Sequence, residues 1–175
     1  SELTVSTGYD VAINEFFFRA ASGTSVPDYV ELANFIRKKI SVTDVNLTFE
    51  DKRKLEIQNM KKFFNNRLII IDEVHNIRLT EDNKDDKTGK LLMDLSKHSN
   101  NMRLLMLSAT PMYNSHTEII WLTNLMNAND KRGLIKTSEV FNSDGTFKEG
   151  KKDNDGNILE ESGEELLHRK LIGYI

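Results

Sequence analysis

The sequence predicts an α/β fold in which helices flank a small parallel sheet. Two runs of strand length, residues 67–71 and 103–107, are apolar after a first arginine, and amphipathic helical patterns precede and follow them. This alternation favours right-handed crossovers around a parallel sheet, and such sheets bind ligands beyond the carboxyl ends of their strands. Both runs end in acidic or small polar residues, so we expect the functional residues to meet at that edge.

Two helices are predicted before the first strand. Residues 25–40 have an apolar face, and Pro27 lies near the helix start, where its missing N–H is tolerated. Thr48 and Asp51 form a capping-box-like start for a helix that we expect to reach Phe64, with its lysines and arginines facing solvent. Because both strands are continuously apolar, we expect each of them to be buried on both faces of the sheet.

The segment between the two strands begins with a polar stretch. Residues 80–87 have no apolar period and are predicted to form a solvated loop, followed by a short helix over 88–98. After the second strand, Ser115 and Glu118 form an S-x-x-E capping box for a helix that we expect to end near Asn127.

The C-terminal part contains a polar insert, residues 148–157, with no core-forming pattern. Ser162 and Glu165 form a capping box for a last helix. Residues 170–175 read like the start of a strand, and the chain has no initiating Met, so we expect it to be part of a longer protein. We divide it into a helical segment, a sheet core, and an insert with a final helix, at residues 1–64, 65–130 and 131–175.

Composition excludes several classes of protein. Lys plus Arg number 24 against 27 Asp plus Glu, a net charge of −3, which excludes a dedicated polycationic nucleic-acid tail. With no Cys there is no disulfide framework, thiolate zinc site or cysteine nucleophile. The longest apolar runs are far shorter than the ~20 residues of a membrane helix. We expect no membrane contact and no secretion.

Basic clusters and aromatic residues give weaker signals. Residues 37–39, 52–54 and 61–62 are basic, but on amphipathic helices such runs are usually solvated faces. Trp121 and the phenylalanines of 16–18 could stack on bases, yet each lies within an apolar stretch, so we expect them to be buried.

Two carboxylates, Asp72 and Glu73, directly follow the first strand. In a phosphate site the first could hold Mg²⁺, usually through its water shell, and the second could activate a water. Residues 72–75 resemble the D-E-x-H box of superfamily two helicases and translocases. Residues 108–111, Ser-Ala-Thr-Pro, resemble the S-A-T motif of that superfamily. The order of the motifs and their positions after strands strengthen the match.

A more specific resemblance extends over residues 72–78, 107–114 and 118–122. These are similar to the helicases and nucleoside triphosphatases of large cytoplasmic DNA viruses, the poxvirus and giant-virus relatives of Swi/Snf-type ATPases, some of which serve viral transcription. The tail, 166–175, is similar to the segment joining the two motor lobes of that group. The resemblance covers roughly residues 61–175 and implies a partial RecA-like lobe, belonging to the P-loop nucleoside triphosphatases.

The resemblance also implies a role for each motif residue. Asp72 would hold Mg²⁺, and Glu73 would position and deprotonate the water that attacks ATP. His75 would link this site to the S-A-T turn, which comprises Ser108, Ala109 and Thr110. The hydroxyls of the turn could bond the 72–75 segment across neighbouring strands. DNA or RNA is the implied track, and the host cytoplasm or the virion the implied location.

The phosphate-binding loop of such motors is absent from these 175 residues, since no G-x-x-x-x-G-K-[ST] or G-x-G-K-[ST] sequence occurs. We therefore expect the loop and the second lobe in other parts of a parent polypeptide, and no ATP hydrolysis by this chain alone. One alternative is a catalytically inactive RecA-like scaffold in a viral transcription or packaging assembly. A different P-loop ATPase, such as a AAA-type remodeller or packaging motor, would share the acidic pair but lack the S-A-T turn.

Overall fold

The computed structural model describes residues 27–77, 87–112 and 115–175, which form a mixed α/β fold with helices flanking a small parallel sheet, as predicted. Most of the predicted 80–87 loop and the phenylalanines of 16–18 lie outside these ranges. Within them, no helix combines the length and apolarity needed to cross a membrane. The elements are α1 (Pro27–Ile40), α2 (Phe49–Phe64), β1 (Leu68–Ile71), a 3₁₀ turn (Val74–Ile77), α3 (Lys87–His98), β2 (Arg103–Met106), α4 (Thr117–Asn129), α5 (Thr137–Val140), β3 (Lys151–Lys152), β4 (Ile158–Glu160) and α6 (Gly163–Leu171).

Strands β1 and β2 pair in parallel, with Leu68 opposite Arg103 and the register continuing in step to the strand ends. Ile69 and Ile71 point into the main apolar cluster, to which α1, α2, α3 and α4 all contribute. On the opposite face, Leu68 is 41% exposed and Leu105 is 45% exposed. The expectation that both strands are buried on both faces was therefore wrong, because in the described part of the chain the helices cover one face of the sheet.

Helix α2 begins as its sequence predicts. Thr48 is the N-cap, and its hydroxyl accepts a hydrogen bond from the Asp51 N–H at 3.1 Å. Phe64, in the last turn, is buried in the main cluster. The prediction that the basic side chains of α2 face solvent fails for Arg53. Its guanidinium forms an ion pair with Asp94 of α3, and this pair ties the two helices together.

The turns that lead from α2 into β1 and from α3 into β2 pair with each other through two Asn-Asn sequences. The Asn66 N–H donates to the Asn100 carbonyl at 3.1 Å, and the Asn100 N–H donates to Asn65 Oδ1 at 2.7 Å. Asn66 and Asn101 both have positive φ, of 57° and 52°, a conformation that asparagine tolerates. These contacts fix the register in which the two strands begin.

Helix α4 lies between two apolar clusters, which explains why it is buried around most of its circumference. The predicted capping box at its start was wrong. The Ser115 hydroxyl accepts instead from the Thr117 N–H. Glu118 is only 1% exposed, because the first turn of α4 packs into the interior of the protein. Trp121 is 7% exposed within the main cluster, so its predicted burial is confirmed.

Helix α6 has the predicted capping box. The Ser162 hydroxyl accepts from the Glu165 N–H at 3.2 Å, and the Glu165 carboxylate accepts from the Ser162 N–H at 2.9 Å. The predicted strand over 170–175 was wrong, because α6 continues to Leu171 and the following turn packs back on the fold. There the Tyr174 hydroxyl donates to Asp130 at 2.7 Å.

The polar insert contributes nothing to either core, as predicted, but one tight turn orders it and a similar turn comes just before it. The Asn142 N–H donates to the Thr146 carbonyl at 2.8 Å, and the Asp153 N–H donates to the Asn157 carbonyl at 2.9 Å. Each turn carries an Asp-Gly pair whose glycine has a φ of 85°. This dipeptide is a strong hairpin signal, so both turns could have been predicted from the sequence.

Candidate functional site

The polar segments that follow β1 and β2 lie side by side at the carboxyl edge of the sheet. The Leu107 N–H donates to the Ile71 carbonyl at 2.8 Å, and the Val74 N–H donates to the Leu107 carbonyl at 3.0 Å. The parallel hydrogen-bond pattern thus continues beyond both strands. The expectation that both polar endings meet at one edge is confirmed.

The acidic turn after β1 has an unusual backbone. Glu73 has a φ of 52°, in the left-handed region that costs a non-glycine residue about 1–2 kcal/mol. Its N–H donates to Asp72 Oδ1 at 3.0 Å, and Val74 on its other side is bonded to Leu107. These two bonds fix the backbone of the turn, so the Glu73 side chain extends from a defined position close to the S-A-T turn. Strained residues of this kind are concentrated at functional sites.

An imidazole joins the acidic turn to the S-A-T turn. His75 Nδ1 lies 2.9 Å from Ser108 Oγ and 3.2 Å from Glu73 Oε2. A proton on Nδ1 can be donated to either oxygen, whereas an unprotonated Nδ1 would face the Glu73 carboxylate with its lone pair. The geometry therefore favours the tautomer that carries its hydrogen on Nδ1. Ser108 Oγ also accepts from the Thr110 N–H at 3.1 Å, so one hydroxyl supports both turns.

The structure brings together four of the residues singled out in the sequence, namely Asp72, Glu73, His75 and Ser108. Thr110 contacts Ser108 through its backbone N–H and not through its hydroxyl, so the prediction of a Thr110 hydroxyl bond to the acidic segment was wrong. Ala109 is exposed at the tip of the turn. The contact between Glu73 and His75 was missed, although a carboxylate and an imidazole two positions apart in a turn could have indicated it.

The donor set of this edge suits a magnesium ion bound to a nucleotide. Among the described residues there is no cluster of three or more His, Cys, Asp or Glu side chains that could form a complete protein cage for a metal. Mg²⁺ does not need one, because it is commonly held by one or two carboxylates, water and substrate phosphates. Asp72 and Glu73 are both partly exposed at the edge, so their carboxylates can be reached from solvent.

Comparison with known proteins gives two relatives. The chain is 31% identical, over 152 residues, to a protein of Acanthamoeba polyphaga mimivirus named "Putative ATP-dependent RNA helicase". It is 32% identical, over 95 residues, to a protein of Invertebrate iridescent virus 3 named "Putative helicase". Both relatives are viral proteins named as helicases. The matches cover 85% and 52% of this chain.

The chain spans only a small part of these relatives, 12% of the mimivirus protein and 10% of the iridescent virus protein. No family model matches the chain, and no solved structure matches it. The chain is thus related to helicase-named viral proteins over most of its length, while those proteins extend far beyond the region of similarity.

Proposed function

We propose that this chain is the later part of the first RecA-like lobe of a longer ATP-dependent helicase or translocase, of the superfamily two type and of viral origin. The observation that carries the proposal is the meeting of the 72–75 segment with the S-A-T turn at one sheet edge, joined by His75 and Ser108. The similarity to helicase-named viral proteins supports it independently. The resemblance to the Swi/Snf-related viral group adds viral transcription as a proposed setting and DNA or RNA as the track.

The two carboxylates have separate proposed roles in ATP hydrolysis. Asp72 would hold Mg²⁺, through its water shell, and the ion when bound would neutralise charge on the phosphates. Glu73 would orient the attacking water and accept its proton. Its carboxylate contacts His75 at 3.2 Å, so this proposal requires the side chain to turn from the imidazole towards the water when ATP binds.

His75 and Ser108 have a proposed coupling role. Because the imidazole contacts both Glu73 and the S-A-T turn, a movement of Glu73 changes the partners available to Nδ1 and so the position of Ser108. In the longer protein, Ser108→Ala combined with Thr110→Ala should therefore reduce strand separation or translocation more than ATP hydrolysis. Equal losses of the two activities would argue against coupling.

The sequence of the longer protein provides the first test. A G-x-G-K-[ST] loop in the same reading frame, before the acidic box, would supply the amides and lysine that cradle the phosphates. We expect the longer protein to hydrolyse ATP faster in the presence of single-stranded DNA or RNA, and the 175-residue chain alone to show no turnover. A longer protein that contains no such loop and hydrolyses no ATP would instead favour the scaffold alternative.

A further inference from the structure

The C-terminal turns of α1, α2 and α3 gather at the edge where the strands begin, opposite the candidate site. Asn59 of α2 donates to the Ile40 carbonyl at the end of α1, at 3.2 Å. Lys131, just after α4, donates to the Ser96 and Ser99 carbonyls at the end of α3, both at 2.7 Å. The bond from the Asn66 N–H to the Asn100 carbonyl joins the turns after α2 and α3, so the three helix ends are held together at one edge.

These helix ends carry a concentration of positive charge. We call it the basic edge, and it consists of Lys38, Lys39, Lys61, Lys62 and Lys97. The ammonium groups of Lys39 and Lys62 lie 5.3 Å and 5.5 Å from the centre of the same Phe63 ring, so two helices present their charges to one point. Lys61, Lys62 and Lys97 are exposed.

Carboxylates are scarce around the basic edge. The sequence has no Asp or Glu in residues 32–43, 57–71 or 95–117, which supply these helix ends and the strands that follow. Nearby, Asp94 is paired with Arg53, and within the described ranges none of the five lysines forms a salt bridge. Burial, and after it repulsion from Lys61, lowers the pKa of Lys131, while the neighbouring carboxylate of Asp130 acts in the opposite direction.

Favourable interaction with the helix dipoles explains why one basic residue stands at each helix end. It does not require five lysines from three helices at one edge, where they repel each other. A polyanion with regularly spaced charges would relieve that repulsion, and Lys side chains on exposed turns are suited to phosphate contacts that do not depend on base sequence.

We propose that the basic edge binds the phosphate backbone of a nucleic acid, as a contact surface on the opposite side of the sheet from the Asp72–Ser108 site. The choice of a nucleic acid among polyanions rests on the proposed function. Binding at this edge needs no ATP, so it is tested separately from hydrolysis, and its failure would leave the hydrolysis proposal intact.

The test measures binding of a fluorescein-labelled 20-nucleotide oligothymidine to the 175-residue chain by fluorescence anisotropy, at several salt concentrations without nucleotide. The edge variant combines Lys61→Gln, Lys62→Gln and Lys97→Gln. The matched control makes the same change of charge at exposed lysines elsewhere, with Lys52→Gln, Lys148→Gln and Lys152→Gln. A third variant replaces the three edge lysines by arginine, and circular dichroism compares the folding of all four proteins.

We expect the edge variant to bind at least tenfold more weakly than the wild type in 50 mM salt. Each lost phosphate contact should reduce the slope of log K against log salt by about 0.7, or about 2 for three lysines. The control and the arginine variant should bind within about twofold of the wild type. The proposal is overturned if the wild-type chain does not bind, if the edge variant binds like the wild type, or if the control loses as much affinity.

Discussion

Replacement of Ser108 by alanine should weaken the fold at the junction between the two candidate motifs. The change removes the oxygen that lies 2.9 Å from His75 Nδ1 and that accepts the Thr110 N–H at 3.1 Å. A hydrogen bond contributes about 0.5–1.5 kcal/mol net to stability. Because one of these two bonds lies in an exposed turn, we expect Ser108→Ala to lower the free energy of unfolding by about 1–2 kcal/mol.

Urea unfolding of the 175-residue chain, followed by circular dichroism, measures this loss. With a slope of about 2 kcal/mol per molar urea, the midpoint should fall by roughly 0.5–1 M. A double-mutant cycle with His75→Ala isolates the shared bond, and we expect a coupling energy of about 1 kcal/mol. Thr110→Ala is the control, because it keeps the backbone N–H. A coupling energy within the roughly 0.3–0.5 kcal/mol expected of independent sites would refute the described geometry.

Three further predictions concern the scaffold, and each is checked by urea unfolding. Lys131→Met should cost about 1–2 kcal/mol, because its ammonium donates to three carbonyls at the end of α3, and a loss below roughly 0.3 kcal/mol would contradict that role. Gly163→Ala should cost more than about 3 kcal/mol, since its Cβ would lie 1.9 Å from the Val140 carbonyl oxygen, and wild-type stability would show that α6 packs differently. Burial lowers the pKa of His98 in the folded state. As the pH drops below about 6.5, the unfolded chain therefore binds a proton on this imidazole more readily than the folded chain, and the free energy of unfolding should decrease. His98→Gln should lose part of that dependence between pH 7.5 and 5.5, and an unchanged profile would exclude His98 as its source.

The sequence was most informative where local chemistry decides the structure. Thr48 and Ser162 are helix caps that the sequence predicts, since each has an acidic residue three positions later. In the structure each hydroxyl accepts a hydrogen bond from the backbone N–H of that residue. The carboxyl edge followed from two apolar runs with polar endings, since parallel strands end at the same side of a sheet. The contact of Ser108 with the acidic segment followed in turn from that topology.

The sequence was least informative where packing overrides local pattern. Glu118 fits a capping box, yet α4 lies between two clusters and its first turn is buried. The apolar residues Leu68 and Leu105 indicated strands that are buried on both faces of the sheet, yet both side chains are exposed. Whether helices cover a face depends on the tertiary arrangement and not on the sequence of the strand. Arg53 looked like a solvated residue because its partner Asp94 lies 41 positions away in sequence.

We propose that Glu73 activates the water that attacks ATP in the longer protein. The most direct test compares steady-state ATP turnover and ATP affinity of the wild-type longer protein with those of Glu73→Gln, using Glu149→Gln in the exposed insert as a matched control. General-base catalysis contributes about 10²–10⁴-fold, so we predict a loss of turnover of that size. ATP affinity should stay within about threefold, because the amide keeps the size of the side chain. Turnover by Glu73→Gln within twofold of the wild type would exclude Glu73 as the base.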